Sequence, residues 1–169
     1  MKQNWLKPDW QPDIAITSLP IQHLLDKGIK GLVIDVDGTL LPRNEILIHS
    51  SVLHWLKEAQ NNFNLHLLSN NPSRKRIKCI SNRISIDFTY KAAKPSTKAL
   101  QKVLIKLQKH PNQIAMIGDR LFTDVIAGNR LGLYTVLVKP ISANGIPCTN
   151  NRTQRLEQKV AGLFGANKK

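Results

Sequence analysis

Acidic residues are scarce in this chain: 11 Asp and Glu stand against 25 Lys and Arg in 169 residues, a formal net charge of +14. Such an excess either attracts a polyanion, nucleic acid or an anionic membrane surface, or simply solvates the surface. Aromatics make up only 5%, few for a protein that stacks bases along a groove, and no nucleic-acid recognition module is recognisable. Cysteine is nearly absent. Cys79 and Cys148 lie far apart and lack a metal-ligand spacing, which excludes a disulfide framework and suits a reducing compartment. No apolar run approaches the roughly 18–20 residues that span a bilayer. The start, Met1-Lys2-Gln3-Asn4-Trp5, has no apolar stretch of the secretion-signal kind. The expected location is cytoplasmic, or peripheral on the inner face of a membrane.

What is present is a chain long enough for one domain with a real core. The expectation is a single domain over residues 1–169, with 1–28 an N-terminal extension packing on it and 164–169 a frayed tail. Leu19–Leu25 reads as a short helix stopping at Gly28. Gly31–Val36 is a continuous apolar run, the mark of a strand buried on both faces. Val52, Leu53, Trp55, Leu56 and Ala59 share one helical face. Leu65–Leu68 reads as a strand, Ser73–Asn82 as a basic helix and Ile84–Phe88 as a weaker strand. A helix starts at Pro95 and runs to about Lys109. Ile114–Ile117 is a strand, Phe122–Leu131 a helix ended by Gly132, and Tyr134–Val138 a strand. A last helix covers Thr153–Leu163. Strands alternating with helices predict an α/β fold, a mainly parallel five-stranded sheet covered by helices on both faces. Ligands of such sheets bind beyond the carboxyl ends of the strands.

Polar motifs stand at those ends. Asp35-Val36-Asp37-Gly38-Thr39 follows the first strand, Ser69-Asn70-Asn71 the second, and Gly118-Asp119 through Asp124 the fourth, with Lys94-Pro95 between. Four of the few carboxylates fall in two of these motifs, and a bound cation would relieve their repulsion. Asp35 suits a nucleophile that forms an aspartyl-phosphate; alone it reads equally as a turn or N-cap aspartate. Asp37, two residues on, faces the same side of an extended segment and suits the proton donor and acceptor. Asp119 and Asp124 complete a divalent-cation site of hard oxygen ligands, against the reading of Asp124 as a first-turn helix aspartate. Ser69 and Lys94 suit the phosphoryl oxygens, with Lys91 the rival lysine and a turn serine the plainer reading of Ser69. Thr39 is expected to fix the loop through a side-chain hydrogen bond, Asn70 to support phosphate or loop, and Gly38 to permit positive φ or close approach.

The order and spacing of these motifs resemble the haloacid dehalogenase (HAD) superfamily of aspartate-nucleophile phosphatases, a Rossmannoid three-layer sandwich. Leu19-Pro20, Gly28–Gly31, Leu68–Asn71, Gly118–Val125, Gly128-Asn129-Arg130 and Asn151-Arg152 narrow the resemblance to the YqeG branch of subclass IIIA, similar to phosphatidylglycerophosphate phosphatases, over most of residues 15–160. Gly38 departs from that branch, where Asn is more usual. The resemblance implies Mg²⁺ held by the Asp35 side chain, the Asp37 carbonyl and Asp119, with Asp124 acting through water or by orienting its neighbours. The intervals from Asp35 to Ser69 and from Ser69 to Lys94 hold no cap domain, so a capless, open site is expected, flanked by Leu40–His49. Arg43 there touches substrate or is merely solvent-exposed. The implied substrate is phosphatidylglycerophosphate in phosphatidylglycerol synthesis; the alternatives are a soluble phosphate ester or nucleotide, and a nucleic-acid- or ribosome-associated binding protein on the same scaffold. Trp5 and Trp10, with Lys2 and Lys7, suit either an interfacial anchor or packing onto the domain. Ser73–Lys78 either flanks the site or is a solvated helix face.

Overall fold

The computed structural model describes residues 4–148 and 152–163. Five strands form one parallel sheet: β1 (Gly31–Ile34), β2 (Asn64–Leu68), β3 (Phe88–Thr89), β4 (Ile114–Gly118) and β5 (Tyr134–Leu137), in the order β3-β2-β1-β4-β5. β1 is the pivot. The chain winds outward from it through β2 and β3, then crosses back to place β4 on its other side. That reversal leaves a crevice beyond the carboxyl ends of β1 and β4.

Side-chain alternation along β1 builds two cores, as period-2 geometry requires. Leu32 and Ile34 point into one, with α1 (Ile21–Asp26), α2 (Ser50–Asn62) and α3 (Arg74–Ile84). Val33 points into the other, with α4 (Lys98–Leu107) and α5 (Ile126–Arg130). A third, small cluster joins Ala161 of α6 (Arg152–Leu163) to Leu121, Val125 and Leu137. The two helical layers around the sheet are the three-layer α/β sandwich that the sequence predicts. Residues 35–49, between β1 and α2, hold loop and turn alone, with no inserted cap.

The segment before β1 lies along the free edge of β5. Trp10 exchanges backbone hydrogen bonds with Thr135 and Leu137, at 3.0 and 2.9 Å. Asp9 accepts from the Thr135 amide at 2.7 Å. The edge is thereby closed to another strand. Trp10 stacks on His23 with ring centroids 3.8 Å apart, so it packs on the fold. Trp5 stays 51% exposed, with Arg130 over its ring.

Three elements differ from the sequence reading. The expected strand Ile84–Phe88 is the end of α3 followed by the short β3. Ile77, Ile80 and Ile84 repeat at helical spacing and are buried, and Ser85 at φ 53° ends the helix in the left-handed region. α4 begins at Lys98, three residues after Pro95, and Gln108 at φ 51° ends it. The helix expected from Phe122 opens as a π turn over Leu121–Val125 before α5. Such single π turns recur at functional sites. The expected tail at 164–169, and Asn151 of the Asn151-Arg152 motif, lie outside the described residues.

Candidate active site

The loop after β1 turns sharply. The Gly38 amide donates to Leu41 O at 2.8 Å and the Leu40 amide to Val36 O at 3.0 Å. These backbone bonds close the loop, and Thr39 Oγ1 is buried without a hydrogen-bond partner among the described residues. The expected Thr39 side-chain bond is therefore not made, because the main chain already satisfies the turn. Gly38 has φ +96°, and a Cβ there would lie 2.5 Å from Asp119 Oδ2. Both reasons expected for glycine hold at this one position. Gly118 is equally confined, since a Cβ would run into the Asp124 side chain.

Lys94 is buried at the centre. Its Nζ lies 2.6 Å from Asp35 Oδ1, 2.7 Å from Asp124 Oδ1 and 2.7 Å from Leu68 O. Burial opposes its charge, but Asp124 and Asp35 more than offset that and raise its pKa above the ordinary lysine value. Asn70 fixes the Lys94 backbone with a reciprocal amide pair, 2.8 Å to the N–H and 2.9 Å to the carbonyl. The rival Lys91 is exposed at φ 49°.

Asp35, Asp119 and Asp124 are all buried, and each offers an oxygen within 4.8 Å of the others. Burial, above all, pushes the Asp35 pKa up to about 7; Lys94 pulls it back, and Asp124 and Asp37 push it further. Burial also lifts Asp119 well above the carboxylate range, with Asp35 and Asp124 adding to it. One lysine thus leaves three buried carboxylates undercompensated. Asp119 Oδ1 is buried with no hydrogen-bond partner among the described residues. An orphaned hard oxygen beside two other carboxylates fits a divalent cation. Asp124 serves the site and its own turn together, since its Oδ2 accepts from the Arg120 amide at 3.2 Å.

Asp37 sits lower in burial and is held from three sides. Ser69 Oγ donates to Oδ2 at 3.1 Å, Asn71 Nδ2 reaches Oδ2 at 3.3 Å, and Arg76 Nη1 lies 2.7 Å from Oδ1. The Arg76–Asp37 and Lys94–Asp124 pairs are close ion pairs without hydrogen-bond alignment. Arg76 also donates to Glu45 O at 3.0 Å and Pro42 O at 3.3 Å, tying α3 to the loop over the site. Ser69 is fully buried; besides bonding Asp37, it accepts from the Asn71 amide at 3.0 Å.

A cleft of about 280 Å³ opens above these groups, lined by Asp35, Asp37, Arg43, Asn70, Asn71, Pro72, Lys94, Arg120 and Thr123. The structure thus brings Asp35, Asp37, Ser69, Lys94, Asp119 and Asp124 together around one crevice. Sequence reasoning passed over Arg76, Asn71 and two residues of α6. Arg76 and Asn71 stood in stretches already marked, the basic run and the Ser69 motif. Gln154, whose Nε2 donates to Asp119 O and Val138 O at 2.9 Å, and Glu157, which holds Arg120, leave no local signal.

The family described as mitochondrial PGP phosphatase matches residues 3–142. The chain belongs to that family. It is a phosphatase of the HAD type. A Bacillus subtilis protein named Probable phosphatase YqeG is 32% identical over 73% of this chain and 72% of its own. A mitochondrial phosphatidylglycerophosphatase of Saccharomyces cerevisiae is 24% identical over 96% of both chains. Among solved structures, the cobalt-bound deoxy-D-mannose-octulosonate 8-phosphate phosphatase of Haemophilus influenzae shares the fold, with a TM-score of 0.53 at 14% identity, covering 82% of this chain and 88% of that one. The phosphatase has no helix, among the described residues, long and apolar enough to cross a membrane.

Proposed function

We propose that this phosphatase hydrolyses phosphomonoesters through an aspartyl-phosphate on Asp35, with Mg²⁺ as cofactor and phosphatidylglycerophosphate as substrate. The observation that carries the reading is Lys94 Nζ, 2.6 Å from Asp35 Oδ1 at the floor of an open cleft. The lysine holds one carboxylate oxygen, which aims the other at an incoming phosphoryl group and offsets charge as the bond forms. Asp37 protonates the leaving alkoxide, then takes the proton of the water that cleaves the acyl phosphate. Ser69 and Asn71 orient Asp37 for both tasks. Bound by Asp35 and Asp119, with Asp124 beside them, Mg²⁺ would neutralise developing charge on the phosphoryl oxygens. The capless cleft suits a substrate that brings its own bulk, and the net charge of +14 suits an anionic lipid surface, at about 1 kcal/mol per well-placed Lys or Arg. The family membership and the yeast relative favour the lipid over other esters.

The test is phosphate release from phosphatidylglycerophosphate in mixed micelles with Mg²⁺, beside soluble phosphomonoesters and nucleotides. Turnover of the lipid well above the soluble esters, abolished by Asp35→Asn, is the expected result. Turnover of soluble esters alone discards the lipid. Release that survives Asp35→Asn discards the nucleophile.

A further inference from the structure

A second cleft, of about 270 Å³, adjoins the first and is lined by Asp37, Gly38, Pro42, Arg43, Asp119, Arg120, Pro140, Ile141, Cys148 and Thr153. Asp37, Arg43 and Arg120 line both clefts; Asp35 and Lys94 line only the first. The acid–base carboxylate therefore stands at the junction between the two.

That position carries a consequence for the leaving group. The phosphoryl group must sit over Asp35, in the first cleft. Asp37 must reach the ester oxygen that departs. The second cleft, which begins at Asp37 and also takes in Asp119, offers room for the alcohol attached to that oxygen. Two guanidinium groups, Arg43 and Arg120, line that room as they line the first cleft. Arg120 is anchored from behind: Nε and Nη2 lie 2.8 and 2.6 Å from Glu157 Oε1, while Glu157 Oε2 accepts from the Leu121 amide at 2.8 Å. Glu157 is only 3% exposed, so the pair is a fixed strut. It leaves Nη1 of Arg120 with no hydrogen-bond partner among the described residues, on a side chain still 31% exposed. Arg43 is exposed and, among the described residues, has no ion-pair or hydrogen-bond partner.

We infer that Arg43 and Arg120 form an anion subsite for the leaving group, selecting phosphomonoesters whose alcohol bears a second phosphate. A planar guanidinium with an open edge matches a phosphate oxygen pair. The inference rests on the proposed roles of Asp35 and Asp37. It assigns Glu157, on a helix beyond the family-matched stretch 3–142, as the residue positioning Arg120. The second phosphate has two sources, a phospholipid diester or a soluble glycerophosphodiester, and the chemistry is common to both.

The experiment compares three substrates on the whole protein with Mg²⁺: phosphatidylglycerophosphate in neutral micelles, its deacylated soluble counterpart, and glycerol 3-phosphate, which lacks the second phosphate. The readout is the ratio of kcat/KM for each bisphosphate to that for glycerol 3-phosphate. Arg43→Ala should lower the ratio by about tenfold, the loss expected for one charged hydrogen bond, and Arg43→Glu should lower it further. Arg43→Lys should recover part of the selectivity. A fall for both bisphosphates assigns the subsite to the phosphate itself; a fall for the lipid alone, or a ratio within about twofold of wild type in every variant, overturns it. Asp35→Asn, run beside these, reports on the nucleophile separately: its activity tests the underlying mechanism whatever Arg43 does.

Discussion

Asp119 and Gly38 depend on one another at the scale of single residues. The carboxylate of Asp119 occupies the space that any Cβ at position 38 would need, 2.5 Å away. Gly38→Ala adds backbone strain of about 1–2 kcal/mol at φ +96°, and it displaces an oxygen from the three-aspartate cluster. Phosphate release should fall by at least about tenfold, with weaker divalent-cation binding by calorimetry and an unchanged circular dichroism spectrum. Unchanged activity would mean that Asp119 has room to move. The sequence leaves the reason for Gly38 open between conformation and space. The structure gives both. Thr39 shows the opposite lesson: a hydroxyl in a turn motif invites a hydrogen bond, yet the main chain had already closed the loop.

Strands and helices were legible because burial writes them into the sequence. β1 and β4 sit inside the sheet, and each appears as an unbroken apolar run with its motif at the carboxyl end. β3 lies at the edge and has two residues, too few to make a pattern. It is held in part through His66 of β2, whose Nε2 lies 2.9 Å from Thr89 Oγ1. Burial, reinforced by Lys106 against Asp87, lowers the His66 pKa from 6.5 to about 4. The native state thus keeps this imidazole neutral while the unfolded chain protonates it. Its stabilising share is present above the unfolded value of 6.5 and is lost as pH falls through about 4, a change of about 3 kcal/mol in full. His66→Gln cannot titrate. Urea unfolding should therefore show the variant gaining on the wild type as pH drops across that window. A stability difference independent of pH would contradict the neutral, buried histidine. Contacts between distant elements were not legible. Arg76 reaches Asp37 from α3, and Glu157 reaches Arg120 from 37 positions away. Neither spacing is repeated or local, so no sequence pattern records it.

For the molecule as a whole, charge is the dominant property. Most of the carboxylates named in the motifs are buried around the site, so the surface is left strongly basic. Raising ionic strength from about 0.05 to about 0.5 M should lower turnover of lipid phosphate in anionic vesicles several-fold. The same lipid in neutral micelles should respond much less. Equal salt responses would separate the net charge from lipid docking. The chemistry itself is tested most directly by acid-quenching the enzyme during turnover and mapping the phosphoryl group by mass spectrometry. The account predicts an adduct on the peptide carrying Asp35, formed and hydrolysed more slowly in Asp37→Asn, which loses the acid of the first step and the base of the second together. An adduct on another side chain, or turnover with none at any time point in either protein, would contradict it.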